Sequence, residues 1–163
     1  MTIINSSNTE ARGGIVTNII KAGLLAGTLD ILFAFTYYYI KTQKNPLNVL
    51  NYVSKVALGE STFTSQGLQQ ANGLLVHFVI AFGWTILFFI LYPRLQLLRI
   101  NKFITAFVYG IFVWVMMNVV VLPLWNHKPF VFNRESSPIN ALILIVAIGL
   151  PLSYIAHRHY SKK

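Results

Sequence analysis

Four long apolar runs carry the hydrophobic pattern of this chain, at about residues 16–38, 72–92, 103–125 and 138–156, with shorter polar stretches between them. A helix needs about 20 predominantly apolar residues to cross the hydrocarbon core of a bilayer. A helix of a soluble protein would also carry a polar face at a 3.6-residue period. The second run, "NGLLVHFVIAFGWTILFFILY", has no such face, and neither do "FITAFVYGIFVWVMMNVVVLPLW" and "PINALILIVAIGLPLSYIA". The pattern predicts an all-α polytopic membrane protein, a four-transmembrane-helix bundle forming one domain over residues 1–163. The first 14 residues are polar and no small-residue cleavage site follows the first run, so that run reads as a retained span and not as a signal peptide.

Residues 41–71 are too many for a plain connector. In "NPLNVLNYVSKVALG", Asn45 is placed to cap a helix, Pro46 to occupy its first position and Gly59 to end it. Leu47, Leu50, Val53 and Ala57 recur at helical spacing, with Asn48, Asn51, Ser54 and Lys55 elsewhere. This predicts a short amphipathic helix at about 46–58, in the first extracytoplasmic loop, lying at the interface over the outer mouth of the bundle. A lid or partner-binding element is the sharper alternative. "SSPIN" places Ser137 as the cap of the fourth span and Pro138 in its first turn. Pro123 and Pro151 are expected to kink the third and fourth helices.

Composition agrees with that solvent. Charged residues make up 10% of the 163-residue chain, against about 25% in an ordinary soluble domain. The formal charge of +9 comes from 13 Lys and Arg against 4 Asp and Glu. On a soluble protein this excess would suggest nucleic acid; here the basic residues flank apolar runs, where topology and anionic headgroups account for them and no nucleic-acid partner is expected. With four spans, Arg12, Lys21, Arg94, Arg99, Lys102, Arg158, Lys162 and Lys163 fall on the side of the termini. Lys41, Lys44, Lys55, Lys128 and Arg134 fall on the other side with Glu60 and Glu135. The balance favours cytoplasmic termini. The chain has no cysteine, which excludes disulfides and thiolate chemistry.

Asp30 sits in the middle of "KAGLLAGTLDILFAF". Gly23, Gly27, Asp30 and Ala34 share one stripe of the first helix, so the GxxxG pair and the aspartate face neighbouring helices together. Gly73, His77, Ala81 and Trp84 or Thr85 form a similar stripe on the second span, and Gly110, Trp114, Asn118 and Val121 on the third. At 1.5 Å rise per residue, Asp30 lies about 12–15 Å, His77 about 7–8 Å and Asn118 about 6–10 Å below the outer helix ends. The expectation is a buried polar cluster of Asp30, His77 and Asn118, with Thr28, Thr85 or Asn140 as further members. Asp30 and His77 would be either an ion pair or a neutral hydrogen-bonded pair. The functional reading is a proton relay, cation site or polar anchor for a small ligand. The plainer reading is polar glue between helices.

The remaining candidates are weaker. His127 stands alone in "LWNHKPF", and His157 and His159 in "AHRHY" do not share a helix face, so no metal site is expected. The aromatics of "FTYYYI", with Trp114, Trp125 and Tyr160, read as interfacial belts and packing, and no cofactor is implied. Neither HExxH, a nucleophile elbow nor a glycine-rich phosphate loop occurs, and Asp30 is the only acidic residue within a span, which disfavours an enzyme.

In "AGTLDILFAF", "GLLVHFVIAF", "YGIFVWVMMNVVVLPL" and "GLP", in this order and spacing, the chain resembles a group of small bacterial integral membrane proteins of unknown function with four predicted spans. The resemblance implies a multi-pass protein of the bacterial cytoplasmic (inner) membrane, with Asp30, His77, Asn118 and Pro123 at recurring positions. The expected function is proton- or small-solute-linked transport or sensing centred on Asp30 and His77. The alternative is a non-catalytic accessory or structural subunit that binds a membrane protein partner, or a second copy, within the lipid bilayer.

Overall fold

The computed structural model describes residues 6–59, 65–95, 101–126 and 131–160. Among them there is no strand. The chain runs as α1 (Ser6–Thr42), α2 (Asn48–Leu58), α3 (Gln66–Leu91), α4 and α5. Helix α4 begins as Lys102–Val115, widens into a π-helical segment at Met116–Val121 and ends as Leu122–Asn126. Helix α5 repeats this build, with Ser136–Leu144, π-helical Ile145–Gly149 and Leu150–Tyr160.

Four segments are long and apolar enough to cross a membrane: Gly14–Thr42, Gln66–Leu91, Lys102–Trp125 and Ser136–Tyr160. The shortest has 24 residues. At 1.5 Å per residue it reaches about 36 Å, beyond a hydrocarbon core of about 30 Å. Their outward faces are apolar: Leu75 and Val79 are 62% and 64% exposed, and Phe107 is 58% exposed. In water such a surface would aggregate; in lipid it is the solvated face.

Contacts at the helix ends fix the order of directions. Asn18 of α1 donates to His159 Nδ1 of α5 at 2.9 Å, and Tyr160 donates to the Phe89 carbonyl of α3 at 3.4 Å. The Lys102 ammonium lies 5.5 Å from the Tyr154 ring centroid. The start of α1, the end of α3, the start of α4 and the end of α5 therefore meet at one end, the termini end. At the other end Lys41 pairs with Glu135, and Asn72 of α3 donates to the Ser54 hydroxyl of α2 at 3.0 Å. The bundle is up-down-up-down, with α2 at the end away from the termini.

The local signals divide. Asn45 acts one turn early: its side chain accepts from the Leu47 N–H at 3.0 Å, but α2 itself begins at Asn48, behind Leu47, with no side-chain cap. Gly59 closes that helix with a φ of 91°, which L side chains rarely adopt, while its N–H returns to the Lys55 carbonyl. Helix α3 starts at Gln66, earlier than its apolar run, because Ser65 accepts from the Leu68 N–H at 3.2 Å and begins the helix on polar residues. Helix α5 corrects the expected cap. Asn133, not Ser137, receives the N–H groups of Glu135 and Ser136, each at 3.0 Å, and the buried Ser137 hydroxyl accepts in return from the Asn133 N–H. That reciprocity works like a capping box.

Pro123 and Pro151 are absorbed in the same way. A proline inside a helix lacks its N–H and crowds the carbonyl four residues back. Those carbonyls belong to Val119 and Ala147, and both lie in the π-helical segments. The widened turn takes up the misfit and the helix continues past the proline in both cases. Helices α4 and α5 meet backbone to backbone: a Cβ on Gly110 would stand 2.5 Å from Ile145 Cα, and one on Gly149 would strike the Ala106 carbonyl. Around that seam lies the core, with Phe88, Phe89, Tyr92, Tyr109, Val113, Leu152 and Ala156 nearly inaccessible.

Candidate functional site

On the α2 side of this core the packing opens into a cavity of about 370 Å³. All four spans and α2 contribute to its wall. Asp30, Ala34, Tyr37 and Tyr38 come from α1, Val49 and Val53 from α2, and His77, Ile80, Ala81 and Trp84 from α3. Helix α4 adds Met117 and Asn118 from its π-helical segment, and α5 adds Asn140, Ile143 and, from its own π-helical segment, Ile148. Both widened turns thus face the same space, where the proline misfit loosens the helical ladder beside the polar groups.

The stripe of α1 explains how Asp30 is aimed there. Gly23 and Gly27 are buried against the rings of Phe82 and Phe78, so α3 lies close along that face. The same close approach brings the imidazole of His77 onto α1, where Nε2 is 2.9 Å from the Gly27 carbonyl. A carbonyl only accepts, so Nε2 carries the hydrogen and donates it. The bond leaves Nδ1 as the remaining functional atom of the ring.

The expected polar residues gather at one place without forming one bonded cluster. Asp30, His77, Asn118 and Asn140 line the cavity together. The amide of Asn118 donates to its own helix at Trp114 O, 2.9 Å away, and His77 is spent on Gly27. Among the described residues the ion pair is Lys41–Glu135, and Asp30 has none. Thr85 does not belong to the wall: it is buried and its hydroxyl returns to the Ala81 carbonyl at 2.8 Å. Thr28 is exposed on the outer side of α1. Gly73 and Gly110 are packing positions; a Cβ on Gly73 would meet the Leu50 carbonyl of α2.

Sequence reasoning missed the aromatic wall. Tyr37 and Tyr38 belong to a run that reads as an interfacial belt, yet both line the cavity, and the Tyr37 hydroxyl is buried with no hydrogen-bond partner. Trp84 is fixed from behind: its carbonyl accepts from Tyr109 at 2.6 Å and its ring meets Phe112 edge-on at 6.0 Å. The signal that could have located the site is the pair of prolines, each set into an apolar span just beyond the turn it distorts.

The histidines at the termini end are structural. His159 Nδ1 accepts from Asn18, and His157 Nδ1 lies 3.3 Å from the Tyr92 hydroxyl. Among the described residues no group of His, Asp and Glu is placed to hold a metal ion. His127, Glu60, Arg99, Lys128, Lys162 and Lys163 lie outside the described residues.

Four apolar helices around a core, each long and apolar enough to cross a bilayer and with an off-centre cavity between them, have the build of a multi-pass helical membrane protein. No protein-family model, curated protein or solved structure matches the chain. The cavity and its residues have to carry the functional reading.

Proposed function

We propose that the protein binds a small solute in this cavity, as a transporter or sensor in which Asp30 and His77 can exchange a proton. One observation carries the reading: a carboxylate, an imidazole and two amides share an empty space of about 370 Å³ bounded by every span. Pockets for small ligands range from about 300 to 1,000 Å³ and combine apolar walls with a few placed polar groups. Polar glue between helices has no need of such a space, because interhelical hydrogen bonds form best where helices touch. The His77–Gly27 bond leaves Nδ1 to accept a proton or a ligand hydrogen, and an intramembrane carboxylate requires a pair, a hydration shell or a proton.

The orientation in this reading places the termini in the cytoplasm and α2 at the outer interface of a bacterial inner membrane, in keeping with the resemblance of the chain. Helix α2 supports an interfacial position: Leu50 and Ser54 are buried against the bundle while Tyr52 and Leu58 stay about half exposed. It does not support a swinging lid, because the bare backbone of Gly73 lets α2 sit directly on α3, where the Ser54–Asn72 bond pins it.

The absence of cysteine makes the test clean. Ala34→Cys on α1 and Asn140→Cys on α5, both lining the cavity, are exposed in membranes to a water-soluble, membrane-impermeant thiol reagent. Labelling of both from the α2 side alone is the expected result. Protection of both positions from either side would leave a sealed bundle and favour the accessory-subunit reading.

A further inference from the structure

We infer that the cavity takes a small organic ammonium ion with an apolar body, its N–H or N–CH₃ group on Asp30 and its body against Tyr37, Tyr38 and Trp84. This rests on the reading of the cavity as a solute site and adds the class of solute. The charge of the wall selects the sign. None of the lining residues is Lys or Arg, and Asp30 is the only one with a full formal negative charge. An anion would meet that carboxylate with no permanent cation to offset it, and the His77 N–H is already spent on the Gly27 carbonyl. A neutral apolar guest would fill the space and leave Asp30 desolvated and unpaired. The nearby cation at the mouth, Lys41, is already paired with Glu135 at 3.5 Å.

The shape of the wall selects the body. The lining is mostly apolar, and three aromatic side chains stand among the polar groups. Aromatic faces attract alkylammonium groups through the ring quadrupole, more strongly when water is excluded. A bare proton or a hydrated metal ion would gain nothing from these rings, nor from about 370 Å³ of apolar space. The unpaired Tyr37 hydroxyl offers a further hydrogen-bonding position to a guest, and His77 Nδ1 offers an acceptor for a second N–H.

The test uses the full chain in nanodiscs and three probes of similar size: benzyltrimethylammonium, benzyl alcohol and phenylacetate. Binding is measured by calorimetry against empty nanodiscs and by protection of Ala34→Cys from thiol labelling. The expected result is saturable binding of the ammonium at least tenfold tighter than of the other two. Asp30→Asn should abolish the preference while its circular dichroism and size-exclusion profile stay those of the parent. Should that variant fail to assemble, the preference among the three probes in the parent chain, and its retention in Asp30→Glu, decide the matter. Protection by benzyl alcohol or phenylacetate equal to that by the ammonium would overturn the ammonium assignment and leave the cavity a solute site. Protection by none of the probes, with both cysteines sealed, would overturn that reading as well.

Discussion

The two halves of this bundle are built from the same four helices and solve opposite problems. Towards the termini the core packs tightly: Phe88 is 0% exposed, Tyr109 lies 4.6 Å from it ring to ring, and Gly149 sits against the backbone of α4. Towards α2 the same helices separate around polar groups, and the π-helical segments of α4 and α5 line the gap. Lipid tails are as apolar as leucine, so a membrane bundle is held mainly by packing and by hydrogen bonds. The closed half supplies that packing. It allows the open half to keep an empty space and a carboxylate without falling apart. Tight packing and open space therefore separate along the bundle axis, which makes the difference measurable.

The largest contrast comes from equivalent truncations in the two halves. Phe88→Ala removes a ring from the closed half. In soluble cores such changes cost about 3–5 kcal/mol. In a bilayer the part due to transfer from water falls away and the cavity part remains, so a loss of about 2–3 kcal/mol is expected. Ile80→Ala enlarges a space that is already open, and should cost less than about 1 kcal/mol. Thermal unfolding of both variants in nanodiscs checks the ratio. Equal losses would mean that the open half is as tightly packed as the closed one.

Next in size is the joint between α2 and the bundle. In Gly73→Ala the new Cβ meets the Leu50 carbonyl, which is backbone and cannot turn aside. Overpacking of this kind costs about 1–3 kcal/mol. Helix α2 must shift, so thiol labelling of Ala34→Cys in the same chain should accelerate. Gly83→Ala, in the same helix, is the control: a Cβ there meets nothing within 4 Å. If Gly73→Ala leaves both unfolding and labelling unchanged, α2 is not seated as described.

How much of this was legible in the sequence follows the same division. The four long apolar helices were, because each is a long apolar run bounded by polar residues. The short helix was, through Asn45, Pro46 and Gly59, although it begins at Asn48. Capping of α5 was misplaced because two serines adjoin Pro138, while the side chain in reach of the free N–H groups belongs to Asn133, three residues before the first of them. Helical spacing put Asp30, His77 and Asn118 on stripes of small and polar residues, and all three line the cavity; Asn140, named only as a further member, lines it too. Spacing could not tell Trp84 from Thr85, one residue apart, and only the first reaches the cavity. The cavity itself was not legible. Empty space depends on where four helices fail to touch, and no periodicity of one helix records that. For the same reason Tyr37 and Tyr38 read as a belt, though they form a wall.

The smallest effect belongs to the ion pair at the mouth of the open half. Lys41 and Glu135 are 3.5 Å apart, with side chains 43% and 84% exposed. Exposed pairs contribute about 0.2–1 kcal/mol, and many contribute nothing measurable. Each residue also stands at a helix end of suitable sign: Lys41 in the last turn of α1, and Glu135 just before the first residue of α5. Such placements add about 0.3–1 kcal/mol each at low ionic strength. Lys41→Gln and Glu135→Gln should therefore each cost about 0.5–1 kcal/mol, with a double variant showing a coupling near the lower limit. Their larger consequence lies in the cavity. The Lys41 ammonium is 6.0 Å from the ring centroid of Tyr37, so its removal takes a positive charge away from an aromatic wall residue. Glu135→Gln instead leaves that charge unpaired. The first variant should tighten benzyltrimethylammonium binding and the second weaken it, by less than about tenfold each, with the gap narrowing as salt is raised. Two variants of nearly equal stability with opposite effects on affinity would show that the open half is tuned for its guest independently of what holds the closed half together.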